Sequence, residues 1–297
     1  RGVRVITAAG EELTPVRAMH VGELCTLREP FDVVLLTAKS YDSCWLAELI
    51  KPYLRPDGCL VSLQNSLNDE WIAPLVGYQR DVAAVIELSA EILEPGVVQR
   101  NTPSDGTWFA LGELHGRVTP RLGVLAAMIA AAGKTEVSAN IWGAKWSKLT
   151  VNCMSQALSA ILGIADWEIS QDPRLLDLSI RTGRECLAVG AALGYRAEAI
   201  FGLSAEEFLG ATDEVLKRTL MTLLGHIGRH ARNSMLQDLC KGRRSEIDFM
   251  NGLVAKKGRE AGIPTPLNHG IAALVRRIEG GGLRSGAENM AHLEKMI

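Results

Sequence analysis

The chain has 297 residues, 47% of them hydrophobic and 22% charged, which is enough material for two packed cores. A formal net charge of −2 provides no basic footprint for nucleic acid. No apolar run approaches the ~18 residues that cross a membrane, no secretory signal is visible, and six widely spaced cysteines (Cys25, Cys44, Cys59, Cys153, Cys186, Cys240) without CxxC or metal-ligand spacing read as reduced thiols of a cytoplasmic protein.

The first ~135 residues read as α/β. Strand-like runs occur at Val3–Thr7, Asp32–Thr37, Cys59–Leu63 and Val82–Leu88, with a further extended stretch at Trp108–Leu111. Helical patterns lie at Tyr41–Tyr53 and Thr119–Ala132. Short apolar runs such as DVVLLT suit parallel strands buried on both faces, and their alternation with helices implies a Rossmann-type parallel sheet. Thr135–Ile141 reads as a connector. Beyond it no convincing strand appears, and helical patterns cover 141–162, 173–193, 213–231, 245–261 and 267–279. Gly280, Gly281 and Gly282 open what looks like a loose tail. The expected architecture is an α/β domain over residues 1–137 followed by an all-α domain over 138–297, with ligands expected at the carboxyl ends of the strands and between domains.

The helix Ile141–Leu162 (IWGAKWSKLTVNCMSQALSAIL) is the most informative segment. At 3.6 residues per turn, Lys145, Lys148, Asn152, Ser155, Gln156 and Ser159 fall within an arc of about 100°, and nearly everything else is apolar. Such a helix is expected to be buried on most sides, with one lane of hydrogen-bonding groups facing a cleft. In a cleft, the Lys148 ammonium could stabilise charge developing on a carbonyl oxygen and donate the proton, with Asn152 donating to the same oxygen. Equally, Lys148 could be a solvated lysine on an exposed helix edge.

Ser245 followed by Asp248 resembles a capping box, which puts Glu246 in a first helical turn on the apolar side of the helix. An acid there needs a partner or a ligand; pairing with the helix end, Arg243 or Arg244 is the plainer alternative. Thr37-Ala38-Lys39 and Gln64-Asn65 follow two strands, where a doubly wound sheet presents its ligand loops, although turn formers are common there too. Ser234 and Asp238 are spaced to share one helical face, either toward a ligand or as local capping. His226 and His230 have zinc-compatible i, i+4 spacing but lack HExxH context and a third ligand, so no metal is assigned. No GxGxxG occurs.

Taken together, DVVLLTAKSYD, LVSLQNSLND, KWSKLTVNC, RRSEIDFMNG and GIPTPLN resemble the ketopantoate reductase (2-dehydropantoate 2-reductase) family, in order and approximate spacing, from about residue 2 to 279. The resemblance implies a Rossmann domain binding NADP, a helical domain, and hydride transfer to the ketone of a small-molecule 2-oxo acid, by default ketopantoate to pantoate. It makes Lys148 the general acid, Asn152 and Ser234 substrate ligands, Glu246 a catalytic residue that also binds cofactor or substrate, and Lys39, Asn65 and the backbone at Ala90 cofactor contacts; Gln156, from its place on the lane, and Asp238, from its spacing to Ser234, are added as expected substrate ligands. It is compatible with a homodimer. Family members begin with a strand, a Gly-rich loop, a helix and a second strand, all expected before Arg1. Three positions depart from the family: Gln156-Ala157 in place of Asn-Pro, Ser66 in place of Gly, and Asp166 in place of a substrate-facing Asn. These leave room for a D-2-hydroxyacid dehydrogenase acting on another branched or aromatic 2-oxo acid, while a non-catalytic binding or regulatory derivative is the alternative expected if the chain truly starts at Arg1.

Overall fold

A computed structural model describes residues 2–198, 212–227 and 232–296. The chain divides into two compact units, Arg1–Ile141 and Trp142–Ile297. The first is α/β and the second is helical, as the residue patterns led us to expect.

The first unit contains β1 (Gly2–Thr7), β2 (Gly10–Pro15), β3 (Phe31–Leu36), α1 (Ser43–Ile50), β4 (Leu54–Ser62), α2 (Asp69–Val76), β5 (Asp81–Glu87), β6 (Ala90–Glu94), β7 (Val97–Arg100), β8 (Trp108–Glu113), α3 (Pro120–Ile129) and β9 (Lys134–Val137). The main sheet has the order β3-β4-β5-β8-β9. Its centre shows the period-2 logic of a strand covered on both faces. On β4, Cys59 and Val61 pack with Val82, Phe109 and the α3 residues Leu122, Leu125 and Ile129. The intervening Leu60 faces the other way, onto Ala47, Ile72 and Val76 of α1 and α2.

Four sequence expectations change here. The sheet is mixed, because β3, β4 and β5 are parallel but β8 runs antiparallel to β5. β1 is not part of it: β1 pairs with β2 and β7 in a second sheet ordered β2-β1-β7-β6, since the Gly10 turn folds the chain straight back on itself. The expected connector includes β9, parallel to β8. β3 stands at the sheet edge, and Leu35 on it is consequently 45% exposed rather than buried.

The second unit contains α4 (Ile141–Leu162), α5 (Asp166–Ile169), α6 (Pro173–Ala192), α7 (Asp213–Ile227), α8 (Ser234–Cys240), α9 (Asn251–Ala261), α10 (Pro266–Glu279) and α11 (Met290–Leu293). The predicted helix over 213–231 is α7, residues 228–231 lying outside the described ones, as do His230 and the His226 side chain. The predicted helix over 245–261 is interrupted. A 3-10 turn, Ile247–Phe249, ends at Met250 with φ −115° and ψ −108°, and α9 starts only at Asn251.

α4 is the core of this unit, and α6 packs tightly along it. A Cβ on Gly183 would lie 2.8 Å from Met154 Sδ, and one on Gly190 would lie 2.1 Å from Trp146 Nε1. The glycines let the two backbones approach while Trp146 donates to the Cys186 carbonyl at 3.0 Å and stacks on Tyr195 at 4.7 Å. The segment after Gly280 is not loose: Leu293 is fully buried, and Asn289 donates to the Ile161 carbonyl at 2.9 Å and the Arg284 carbonyl at 2.6 Å, closing the C-terminal end of α4. A glycine triplet reads as flexible from composition, yet here it is only the turn before a packed segment.

All six cysteines are free thiols, with Cys59, Cys153 and Cys186 buried. Among the described residues, no helix is long and apolar enough to cross a membrane, and no group of three or more His, Cys, Asp or Glu could hold a metal ion.

Candidate active site

The polar lane of α4 is divided by its surroundings. Lys148 and Gln156 keep partial exposure, Asn152 between them is 2% exposed, and Ser155 and Ser159 are fully buried. Lys145, on the flank of the lane, is also buried. The expectation of one uniform lane facing a cleft therefore holds only for the Lys148, Asn152 and Gln156 positions, each one turn apart. The other side of the lane is covered by Asp166, in the chain after α4, and by Asn233, the residue that caps α8. Burying so many polar groups requires partners.

Ser234, the first residue of α8, is half-buried, and its Oγ donates to Gln156 Oε1 at 3.4 Å. Two predicted substrate ligands are thus in contact. With Oε1 accepting that bond, the Gln156 amide still offers its two N–H donors and a second lone pair on Oε1. Asp238 lies one turn beyond Ser234 and is 5% exposed. Its carbonyl accepts from Arg243 N at 2.8 Å, which turns the chain toward the Ser245-Glu246 segment.

Glu246 is 5% exposed and precedes the 3-10 turn, with φ −95° and ψ 22°. The expected placement inside a continuous first helical turn is corrected by the break at Met250. Part of the capping arrangement is present, since Ser245 Oγ accepts from Ile247 N at 3.2 Å. Next to it, Asp248 is bonded by Arg276 at 2.7 Å and approached by Arg244 at 3.7 Å. The turn is anchored to α4 just beyond it, where Asn251 donates to the Cys153 carbonyl at 3.1 Å and to Asn268 Oδ1 at 3.0 Å. Asn268 donates to Glu185 at 2.8 Å, and Glu185 also accepts the backbone N–H groups of Leu267 and Asn268 at the start of α10. This buried relay joins the MNG and PLN motifs to the residue after Asn152. Asn251, Asn268 and Asn233 were not singled out from the sequence as supports; the available signal was three asparagines at element starts, two of them inside the family-like motifs.

In the α/β unit, Lys39 and Asn65 lie beyond the carboxyl ends of parallel strands β3 and β4, both half-buried. Their loops are stitched together by neighbours. Gln64 Nε2 donates to the Ala38 carbonyl at 2.5 Å and to Ser43 Oγ at 2.9 Å, Ser43 donates to Asn68 Oδ1 at 2.9 Å, and Asn68 Nδ2 donates to Ser40 Oγ at 3.0 Å and the Asn65 carbonyl at 2.6 Å. Gln64 is therefore engaged in holding together the turns on which Lys39 and Asn65 stand. Ala90, at the start of β6, is exposed and pairs with Arg100 in the second sheet.

Two family models match the chain: ketopantoate reductase PanE/ApbA over residues 1–113, and ketopantoate reductase PanE/ApbA C terminal over residues 140–279. The 2-dehydropantoate 2-reductase of Archaeoglobus fulgidus is 31% identical over 86% of this chain and 80% of its own length. The chain belongs to the ketopantoate reductase family. A ketopantoate reductase family crystal structure from Ralstonia eutropha JMP134 superposes with a TM-score of 0.77 at 30% identity, covering 94% of this chain and 85% of the other. The ternary structure of D-mandelate dehydrogenase with NADH and anilino(oxo)acetate shares the fold at a TM-score of 0.79 and 20% identity, over 94% and 85% of the two chains.

Two of the three departures from the family's usual residues have distinct local settings in the structure. Ser66 has φ 74°, so a residue with a Cβ occupies the left-handed conformation that glycine adopts freely. Asp166 is 1% exposed, and Asn233 donates to its Oδ1. It is not an additional carboxylate facing the open part of the lane. Burial pushes its carboxyl above the ordinary aspartate range, and hydrogen bonds from Ser159 and Asn233 offset part of that rise.

Proposed function

We propose that this ketopantoate reductase family member is an NADPH-dependent reductase of a 2-oxo acid, with ketopantoate to pantoate as its default reaction. What carries the reading is the α4 lane, where a partly open ammonium, a buried amide one turn on and an amide–hydroxyl pair another turn on stand in a row. The donors at the strand ends suit a dinucleotide: Lys39 supplies a cation and Asn65 an amide, on turns held rigid by buried hydrogen bonds, with the backbone at Ala90 a further contact. When bound, the nicotinamide supplies the hydride.

The remaining chemistry falls to the chain's own side chains. Lys148 Nζ donates a proton to the carbonyl oxygen as negative charge gathers there, and its partial exposure lets solvent restore the proton. Asn152 donates to the same region of the substrate. The Gln156 N–H donors, the Ser234 hydroxyl and Asp238 one turn further along α8 bound the substrate's far end. Glu246, on its anchored turn, binds substrate or cofactor hydroxyls, where a carboxylate acceptor is useful.

A second reading keeps the chemistry and changes the substrate to another branched or aromatic 2-oxo acid. It is favoured by Gln156, whose longer side chain alters the end of the lane, and by the fold shared with D-mandelate dehydrogenase. Steady-state kinetics with ketopantoate and a panel of branched and aromatic 2-oxo acids, each with NADPH and NADH, separate the two. We expect the highest kcat/KM for ketopantoate with NADPH; a higher value for an aromatic acid selects the second reading, and no turnover of any member rejects both. With the best substrate, Lys148→Ala is expected to lower kcat by about 10²- to 10⁴-fold with little change in nucleotide affinity. An unchanged kcat would remove Lys148 from the acid role.

A further inference from the structure

We infer that Asn233 and Asp166 form a buried clamp that positions Ser234 against Gln156, so that this pair controls how tightly the 2-oxo acid is held without touching it. The inference rests on the reductase reading above for its substrate, but the clamp itself is read from the geometry alone.

Asn233 is 8% exposed and is the N-cap of α8. Its Oδ1 accepts from Met235 N and Leu236 N, each at 2.9 Å. Those two bonds determine which end of the amide is which, because only the oxygen can accept. The Nδ2 end therefore points away from α8 into a cluster of acceptors: Asp166 Oδ1, Ser159 Oγ at 2.5 Å and the Gln156 carbonyl at 3.3 Å. One side chain thus caps the helix that carries Ser234 and ties it to α4 at Gln156 and Ser159. It also reaches the first residue of α5.

The consequence for the lane follows from sequence adjacency. Ser234 is the next residue after the clamp, and Gln156 is the residue whose carbonyl the clamp engages. The contact between the Ser234 hydroxyl and the Gln156 amide, at 3.4 Å, is long for a hydrogen bond and has little strength of its own to hold α8 in register. The bond to a nearly inaccessible Asp166 carboxyl oxygen, made alongside the 2.5 Å bond to Ser159 Oγ, is the stronger constraint. Asp166 and Asn233 are thus positioning residues, and Asp166 acts in this chain as an internal acceptor rather than a ligand for the oxo acid.

Asn233→Ser separates the two duties of the asparagine. Serine is an equally good N-cap, so α8 stays capped, but its short hydroxyl cannot also reach Asp166 and Ser159. The test compares wild type, Asn233→Ser, Ser234→Ala and the double variant by steady-state kinetics with ketopantoate and NADPH, together with amide hydrogen exchange over residues 232–240. We expect Asn233→Ser to raise KM for the oxo acid about 5- to 20-fold, the loss of roughly one or two hydrogen bonds, with kcat and the KM for NADPH within about twofold. On the Ser234→Ala background it should add almost nothing, and exchange over 232–240 should quicken in Asn233→Ser but not in Ser234→Ala. A wild-type KM in Asn233→Ser overturns the inference, as does a KM increase that persists undiminished on the Ser234→Ala background. Should wild type reduce no oxo acid, the functional reading fails on its own; exchange that is unchanged in Asn233→Ser overturns the clamp whether or not the protein is active.

Discussion

Ser66 shows how one backbone angle can carry an energetic cost. An L-residue in the left-handed region costs about 1–2 kcal/mol, and glycine removes most of that cost at the expense of a more mobile unfolded chain. Ser66→Gly is therefore expected to stabilise the protein by about 0.5–1 kcal/mol, read as a higher urea midpoint at unchanged m-value. A lower midpoint would mean that the Ser66 side chain contributes more than its strain costs. Asp166 makes a prediction in pH. Its carboxyl holds its proton more firmly in the folded chain than in the unfolded one, because burial raises the folded value. The folded state consequently binds more protons, and stability falls as pH rises from the unfolded aspartate value, about 3.9, up through the raised folded value. Asp166→Asn keeps an acceptor for Asn233 and removes the titration. The Tm of the variant relative to wild type should therefore become more favourable between pH 4 and pH 7, and a difference that is flat or reversed would contradict the assignment.

Among the elements, α4 was legible from its residues because it is long, apolar on most of its circumference and free of internal glycine pairs or proline, so its ends at Ile141 and Leu162 follow from periodicity. The strands β3, β4, β5 and β8 were legible for a similar reason, each being a short apolar run closed by polar turns. What periodicity missed is short or locally paired. β2, β6 and β7 are edge and hairpin strands of four to six residues with mixed polarity, and α5 and α8 span only four and seven residues. The α4–α6 contact depends on glycines that a helical pattern merely tolerates. Gly190→Ala would drive a methyl into the Trp146 indole, whose N–H bond to Cys186 and stacking on Tyr195 leave it little room to move. A loss of about 1–3 kcal/mol is expected in urea unfolding. An unchanged midpoint would mean that Trp146 repacks at no cost.

At the scale of the whole molecule, composition and hydrophobic period were enough to identify an α/β segment followed by a helical one, and to single out Lys148, Asn152, Gln156, Ser234 and Glu246 as the residues worth locating. These properties are local: a period, a charge count or a motif spacing is complete within a stretch of chain. Only the tertiary structure decided which polar groups on α4 stay open and which are consumed. Asn233, 74 residues beyond Ser159 in sequence, is what closes the lane at that end. It also decided that Asp166 is an internal acceptor, that Asn251 and Asn268 anchor the turn carrying Glu246, and that residues beyond Gly280 pack onto α4. A buried polar side chain is specified by whichever acceptors and donors arrive from distant segments, and one-dimensional spacing holds no record of that arrival.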